Sequence, residues 1–142
     1  LDVSNKKVLV LGSGGASATV VAVLEQQNAS VVIISRSGEN NYSNLHLHTD
    51  ASVIVNTTPV GMYPHVGESP ISLDLFPNLE GVLDVVYNPA KTQLLLDAEK
   101  KGLITENGLW MLVAQAKYAV ELFLDTTMPD EKIEEVMKNL TS

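Results

Sequence analysis

The sequence predicts an α/β domain: a mostly parallel sheet, doubly wound in three layers, with a shortened second crossover and a C-terminal helical segment. Three observations carry this. Apolar runs such as Val8 to Leu11 and Val31 to Ile34 lack polar alternation, as strands buried on both faces do. A glycine cluster lies between the first run and a helical segment, and strand, glycine turn, helix and strand follow within 30 residues.

The elements follow in order. Val8 to Leu11 is the first strand, and Ala16 to Gln27 is a helix with an apolar stripe of Val20, Val21, Val23 and Leu24. Val31 to Ile34 is the second strand. Ser37 to Ser52 is polar and loop-like, with room for one helical turn at most. Val53 to Asn56 is a strand stopped by Pro59 and Gly61, and Tyr63 to Pro77, punctuated by three prolines, reads as a long surface connection. Val82 to Val86 is a further strand. Thr92 caps a helix over Gln93 to Lys101, with Gly102 at the left-handed position beyond it. Ile104 and Thr105 form a short strand, and Asn107 caps a long helix through Leu124. Ile133, Val136, Met137 and Leu140 make a last helix amphipathic after Pro129.

Composition narrows the function. The 142 residues are 45% hydrophobic and 18% charged, which is a folding chain rather than a disordered one. Its formal charge of −8 repels a phosphate backbone, so nucleic acid is not expected as a partner. Cysteine is absent, which excludes disulfides and thiolate metal sites and suits a reducing cytoplasm. The uncharged stretch from Val8 to Leu24 is too short and too glycine-broken to span a membrane. The chain opens on Leu1 without a leader-like segment and reads as a piece of a longer polypeptide.

Gly12-Ser13-Gly14-Gly15-Ala16-Ser17 stands between a strand and a helix, the context a dinucleotide-binding turn requires. The first glycine allows the tight turn, the second lets backbone N–H groups approach a pyrophosphate on the helix's positive end, and Ser17 holds the close-packing position. Ser35-Arg36-Ser37 ends the second strand. An acid there would favour NAD through the ribose 2′-hydroxyl; a guanidinium instead pairs with a 2′-phosphate, so NADP is the expected cofactor.

By the third strand the residues resemble the NADP-dependent shikimate dehydrogenases. The matching pieces are Val8 to Ser17, Ser35 to Ser37, Val55-Asn56-Thr57-Thr58-Pro59-Val60-Gly61-Met62, Asp84 to Pro89 and Asn107-Gly108-Leu109-Trp110-Met111-Leu112-Val113-Ala114-Gln115-Ala116, in that order. The resemblance implies a Rossmann-like NADP-binding domain over residues 1–142 and hydride transfer between NADP(H) and the shikimate/3-dehydroshikimate pair. In such enzymes the glycine turn, including Gly15 and Ala16, holds the pyrophosphate and the Arg36 position the 2′-phosphate. Thr57, Val85 and Gly108 correspond to positions by the ribose and nicotinamide, and Tyr87 and Gln115 to positions that reach the substrate.

Two departures stand out. Only 19 residues separate Arg36 from Asn56, enough for a parallel crossover but with little room for the full helix the family commonly places there, and Asn40 stands where a second basic residue is often found. Weaker NADP affinity or discrimination is the expected consequence. The family's proton-transferring Lys and Asp belong to an amino-terminal substrate domain that has no counterpart here, so no catalytic residue is assigned. A chain of this kind alone should bind NADP without turnover, and an uncovered cleft face favours a homodimer. His46 and His48 alternate on a strand-like face but lack a third ligand, so no metal site is assigned. Asp84 reads as a hydrogen-bonded structural carboxylate.

Overall fold

Strands β1 (Lys7–Leu11), β2 (Ser30–Ile34), β3 (Val53–Asn56), β4 (Gly81–Asp84) and β5 (Ile104–Glu106) form one sheet in the order β2-β1-β3-β4-β5, parallel at every junction. This computed structural model describes residues 2–60, 64, 66–86, 91–108 and 116.

Side chains alternate across each strand, and both faces of β1, β3 and β4 are covered; β2, expected to be buried on both faces, lies at the sheet edge and leaves Ile33 41% exposed. Val8 and Val10 of β1, Val53 and Val55 of β3 and Leu83 of β4 pack against Val20, Val23 and Leu24 of helix α1 (Gly15–Gln26). Leu9, Leu11, Ile54 and Val82 face the other way, where Leu94, Leu95 and Ala98 of helix α2 (Gln93–Lys100) join them. Burial on both sides is the physical reason the strand sequences carry no polar alternation.

Helix ends follow the local signals. Asn28 takes a left-handed φ of 63° after α1, and the Ala29 N–H closes on the Leu24 carbonyl at 3.1 Å. At α2 the Thr92 hydroxyl accepts the Leu95 N–H at 3.4 Å. Gly102 follows at φ 74°, with the Leu103 N–H on the Ala98 carbonyl.

Three expectations change. Residues 66–79 do not simply run over the surface: Ile71, Leu73, Phe76 and Leu79 are buried in the layer shared with α2, around a 3-10 turn at Leu73–Leu75. The prolines prevent a helix there, but the apolar residues still find the sheet. β4 stops at Asp84 rather than Val86, because the Asp84 carboxylate accepts the Val86 N–H at 3.0 Å and turns the chain out of the sheet. His46 and His48 lie in a 3-10 turn, Leu45–His48, rather than on a strand face. That turn is the only helical segment between β2 and β3, as the short crossover requires.

Gly108 and Ala116 are helical, consistent with a helix opening after Asn107. The other residues of the expected helix through Leu124, and those of the expected amphipathic helix after Pro129, lie outside the described residues. No helix among the described residues is long and apolar enough to cross a membrane.

Candidate functional site

The chain winds one way from β1 to β2 and the other way from β3 onward, so the loops leaving β1 and β3 diverge at the sheet's carboxyl edge. A crevice of about 660 Å³ opens there. The loop after β1 contributes Gly12, Ser13 and Gly14, the loop after β2 Ser35, Arg36 and Ser37, and the loop after β3 Thr57 to Val60.

The β1 and β3 loops are locked to each other. Both the N–H and the hydroxyl of Thr57 donate to the Leu11 carbonyl, and the Gly12 N–H donates to Ile34 at 2.8 Å. Gly12 has φ 109°, and a Cβ there would stand 2.5 Å from Thr57 Oγ1, so the fold itself requires glycine. Thr57 thus spends both of its donors on the protein.

Gly14 is the opposite case. It caps α1 with ordinary extended angles, φ −79° and ψ −168°, and a Cβ there would meet nothing within 4 Å. Nothing in the fold needs a glycine at this position, yet a side chain would project into open space where the first N–H groups of α1 emerge. Gly14 as cap residue offers those groups no side-chain acceptor, and no acid lies in the first turn. Ser17, two positions past Gly15, is 2% exposed, and its Oγ has no hydrogen-bond partner among the described residues.

Behind the β3 loop lies a buried polar cluster. Asn56 and Asp84 are register partners at the ends of β3 and β4. Asn56 Oδ1 accepts the Thr58 N–H and hydroxyl at 3.0 and 2.7 Å, and its Nδ2 donates to Asp84 Oδ1 at 3.2 Å. The other Asp84 oxygen accepts the Thr92 hydroxyl at 2.8 Å, tying α2 to the same point. Burial raises the Asp84 pKa, against the lowering effect of the Val86, Thr92 and Asn56 hydrogen bonds. Asp84 is structural, as its sequence context suggests.

The loop carrying Arg36 is built from asparagines. The Ser35 N–H donates to the Asn40 carbonyl at 3.1 Å, Asn41 Nδ2 to Gly38 O at 3.2 Å, and Asn44 Nδ2 to Glu39 O at 2.9 Å. Asn40, which replaces the expected second basic residue, places its Oδ1 2.8 Å from His48 Nε2. Burial and the Lys7 ammonium lower the His48 pKa, favouring the neutral ring that donates through Nε2. Arg36 itself is exposed at the crevice rim.

The structure therefore gathers Gly12, Ser13, Gly14, Ser35, Arg36, Ser37 and Thr57 around one crevice. Gly15 and Ala16 open α1 beside them. Val85 and Gly108 lie at the same carboxyl edge, after β4 and β5, and do not line this crevice. Tyr87 and Gln115 lie outside the described residues. Sequence reasoning missed Tyr42 and Pro70 as lining residues, since neither belongs to a motif or to a periodic segment. Among the described residues no group of three His, Cys, Asp or Glu could hold a metal.

An all-parallel doubly wound sheet with a glycine-cornered crevice at its switch point defines the Rossmann-like class of α/β domains. Comparison with known proteins gives its relatives. Residues 108–138 match the family described as the Shikimate 5'-dehydrogenase C-terminal domain. The chain is 33% identical to the shikimate dehydrogenase (NADP(+)) of Caldanaerobacter subterraneus, covering 93% of this chain and 56% of that protein. A chorismate mutase/shikimate 5-dehydrogenase fusion protein from Clostridium acetobutylicum superposes with a TM-score of 0.74 at 33% identity, over 97% of this chain and 54% of that one. Shikimate 5-dehydrogenase from Thermus thermophilus, in complex with NADP(H) and shikimate, gives 0.71 at 29% identity, over 95% and 55%. Over nearly its whole length the chain is similar to shikimate dehydrogenases, and residues 108–138 match their carboxyl-terminal domain. It spans about half the length of the curated shikimate dehydrogenases (NADP(+)) it matches.

Proposed function

We propose that this chain is the NADP-binding half of a two-domain shikimate dehydrogenase. The observation that carries the reading is Gly14, whose missing side chain serves no need of the fold and leaves the uncapped start of α1 open to an anion. The crevice fits the cofactor: the α1 N–H groups suit a pyrophosphate, and Arg36, across the switch point, suits a 2′-phosphate. When bound, NADPH supplies the hydride that reduces 3-dehydroshikimate to shikimate. The chain's own residues bind and orient it: Gly12 and Thr57 fix the β1 and β3 loops, while Tyr87 and Gln115, by their place in the family motifs, reach the substrate. Proton transfer belongs to a substrate domain, as does most substrate recognition. The reading includes a cytoplasmic setting; by itself the chain would pair with a second copy through the cleft face that the substrate domain otherwise covers.

Arg36→Ala tests the cofactor assignment. NADP affinity measured by calorimetry is expected to fall about tenfold, the low end for a charge-assisted pair at an exposed site, while NAD affinity barely changes. An equal loss for both dinucleotides would overturn the role given to Arg36.

A further inference from the structure

The shortened crossover brings an aromatic ring to the end of the crevice that Arg36 flanks. Tyr42 lies in the loop between β2 and the 3-10 turn, lines the crevice, and is half-buried, packed against the apolar cluster beneath β2. Its position is bracketed by short bonds: Asn41 N–H to Asn44 Oδ1 at 2.8 Å, Ser43 N–H to Asn41 Oδ1 at 2.9 Å and Asn44 N–H to the Asn41 carbonyl at 3.2 Å. The ring is thus held on one side by the core and borders open space on another. Arg36 is close enough for its charge to favour the phenolate, although burial dominates and raises the Tyr42 pKa.

A fixed aromatic surface beside a guanidinium, at the far end of a crevice from β3, has the chemistry of a purine site. Bases stack on aromatic rings, and the cation takes the sugar's phosphate. We infer that Tyr42 is a binding residue for the adenosine end of the dinucleotide, its ring stacking on the adenine while Arg36 pairs with the 2′-phosphate. The asparagine-built loop thereby supplies, in few residues, a base contact for the adenosine half. The inference rests on the nucleotide reading above.

The probe is 2′,5′-ADP, the adenosine half with both phosphates, titrated calorimetrically into wild type, Tyr42→Phe and Tyr42→Leu. Leucine keeps the apolar packing and loses the π face; phenylalanine keeps both. Tyr42→Leu is expected to bind about tenfold more weakly and Tyr42→Phe within about twofold of wild type. A second measurement needs no destabilising variant: in wild type, nuclear Overhauser effects should link the Tyr42 ring, assigned from the Tyr42→Phe spectrum, to adenine H2 or H8. A purely structural tyrosine would not produce them. Wild-type affinity in Tyr42→Leu, or bound 2′,5′-ADP without those effects, overturns the role of Tyr42 and leaves the nucleotide reading intact. Failure of folded wild type to bind 2′,5′-ADP overturns both.

Discussion

Gly14→Asp is expected to reduce NADP affinity at least 100-fold, about 2.7 kcal/mol, while the melting temperature holds or rises slightly. Aspartate is a slightly better N-cap than glycine, the backbone angles at position 14 accept it, and its Cβ would touch nothing in the protein. The same carboxylate would stand where a pyrophosphate must sit, placing like charges together at the start of α1. Melting curves and titrations on one preparation check both halves. Unchanged NADP binding would show that the open space over Gly14 is not a phosphate cradle. Gly12 provides the contrast, since there the left-handed φ and the nearness of Thr57 make glycine a requirement of the fold.

Asp84→Ala carries the largest expected loss of stability, about 3 kcal/mol, read as a fall of roughly 10 °C in Tm. The side chain is 1% exposed and accepts from Asn56, Val86 and Thr92, so its removal strands buried donors from three segments. Asp84→Asn keeps one acceptor and should lose less. The pH dependence separates the two. The folded state holds the Asp84 proton more tightly than the unfolded chain does, because burial raises its pKa. As pH falls from that raised value toward the ordinary aspartate range, the folded state binds more proton than the unfolded, and this residue's contribution to stability grows. Wild type should therefore gain on Asp84→Asn over that window in paired denaturation curves. A constant difference would mean that Asp84 is not buried as a charged acceptor. The loss should extend to the crevice, since Asn56 sets the turn that carries Thr57 and Thr58.

What the sequence made legible was local. The glycine turn, the Thr92 cap, the Gly102 stop and the uninterrupted apolar strands are each decided by a few neighbouring residues, and the structure follows them to within a residue or two. The shortened second crossover could be anticipated because a parallel crossover needs a dozen or more residues, and 37–55 has room for little else. The burial of Ile71, Leu73, Phe76 and Leu79 was hidden, since their spacing fits neither a helix nor a strand and only the sheet face above them explains it. Tyr42 was hidden for the same reason: its place at the crevice depends on a turn closed by Asn41 and Asn44, which belongs to no motif or periodic segment. Asn40 shows the limit from the other side. It departs from the basic residue often found there, and the structure turns it toward His48 as a loop brace.

Direct calorimetric titration of the folded chain with NADP and with NAD tests the central claim most simply. Saturable one-site binding of NADP, about tenfold tighter than NAD, is the expected result, the margin being the modest one that a single exposed Arg36 without a second cation supports. A folded chain that binds neither dinucleotide, or binds NAD as tightly as NADP, would contradict it.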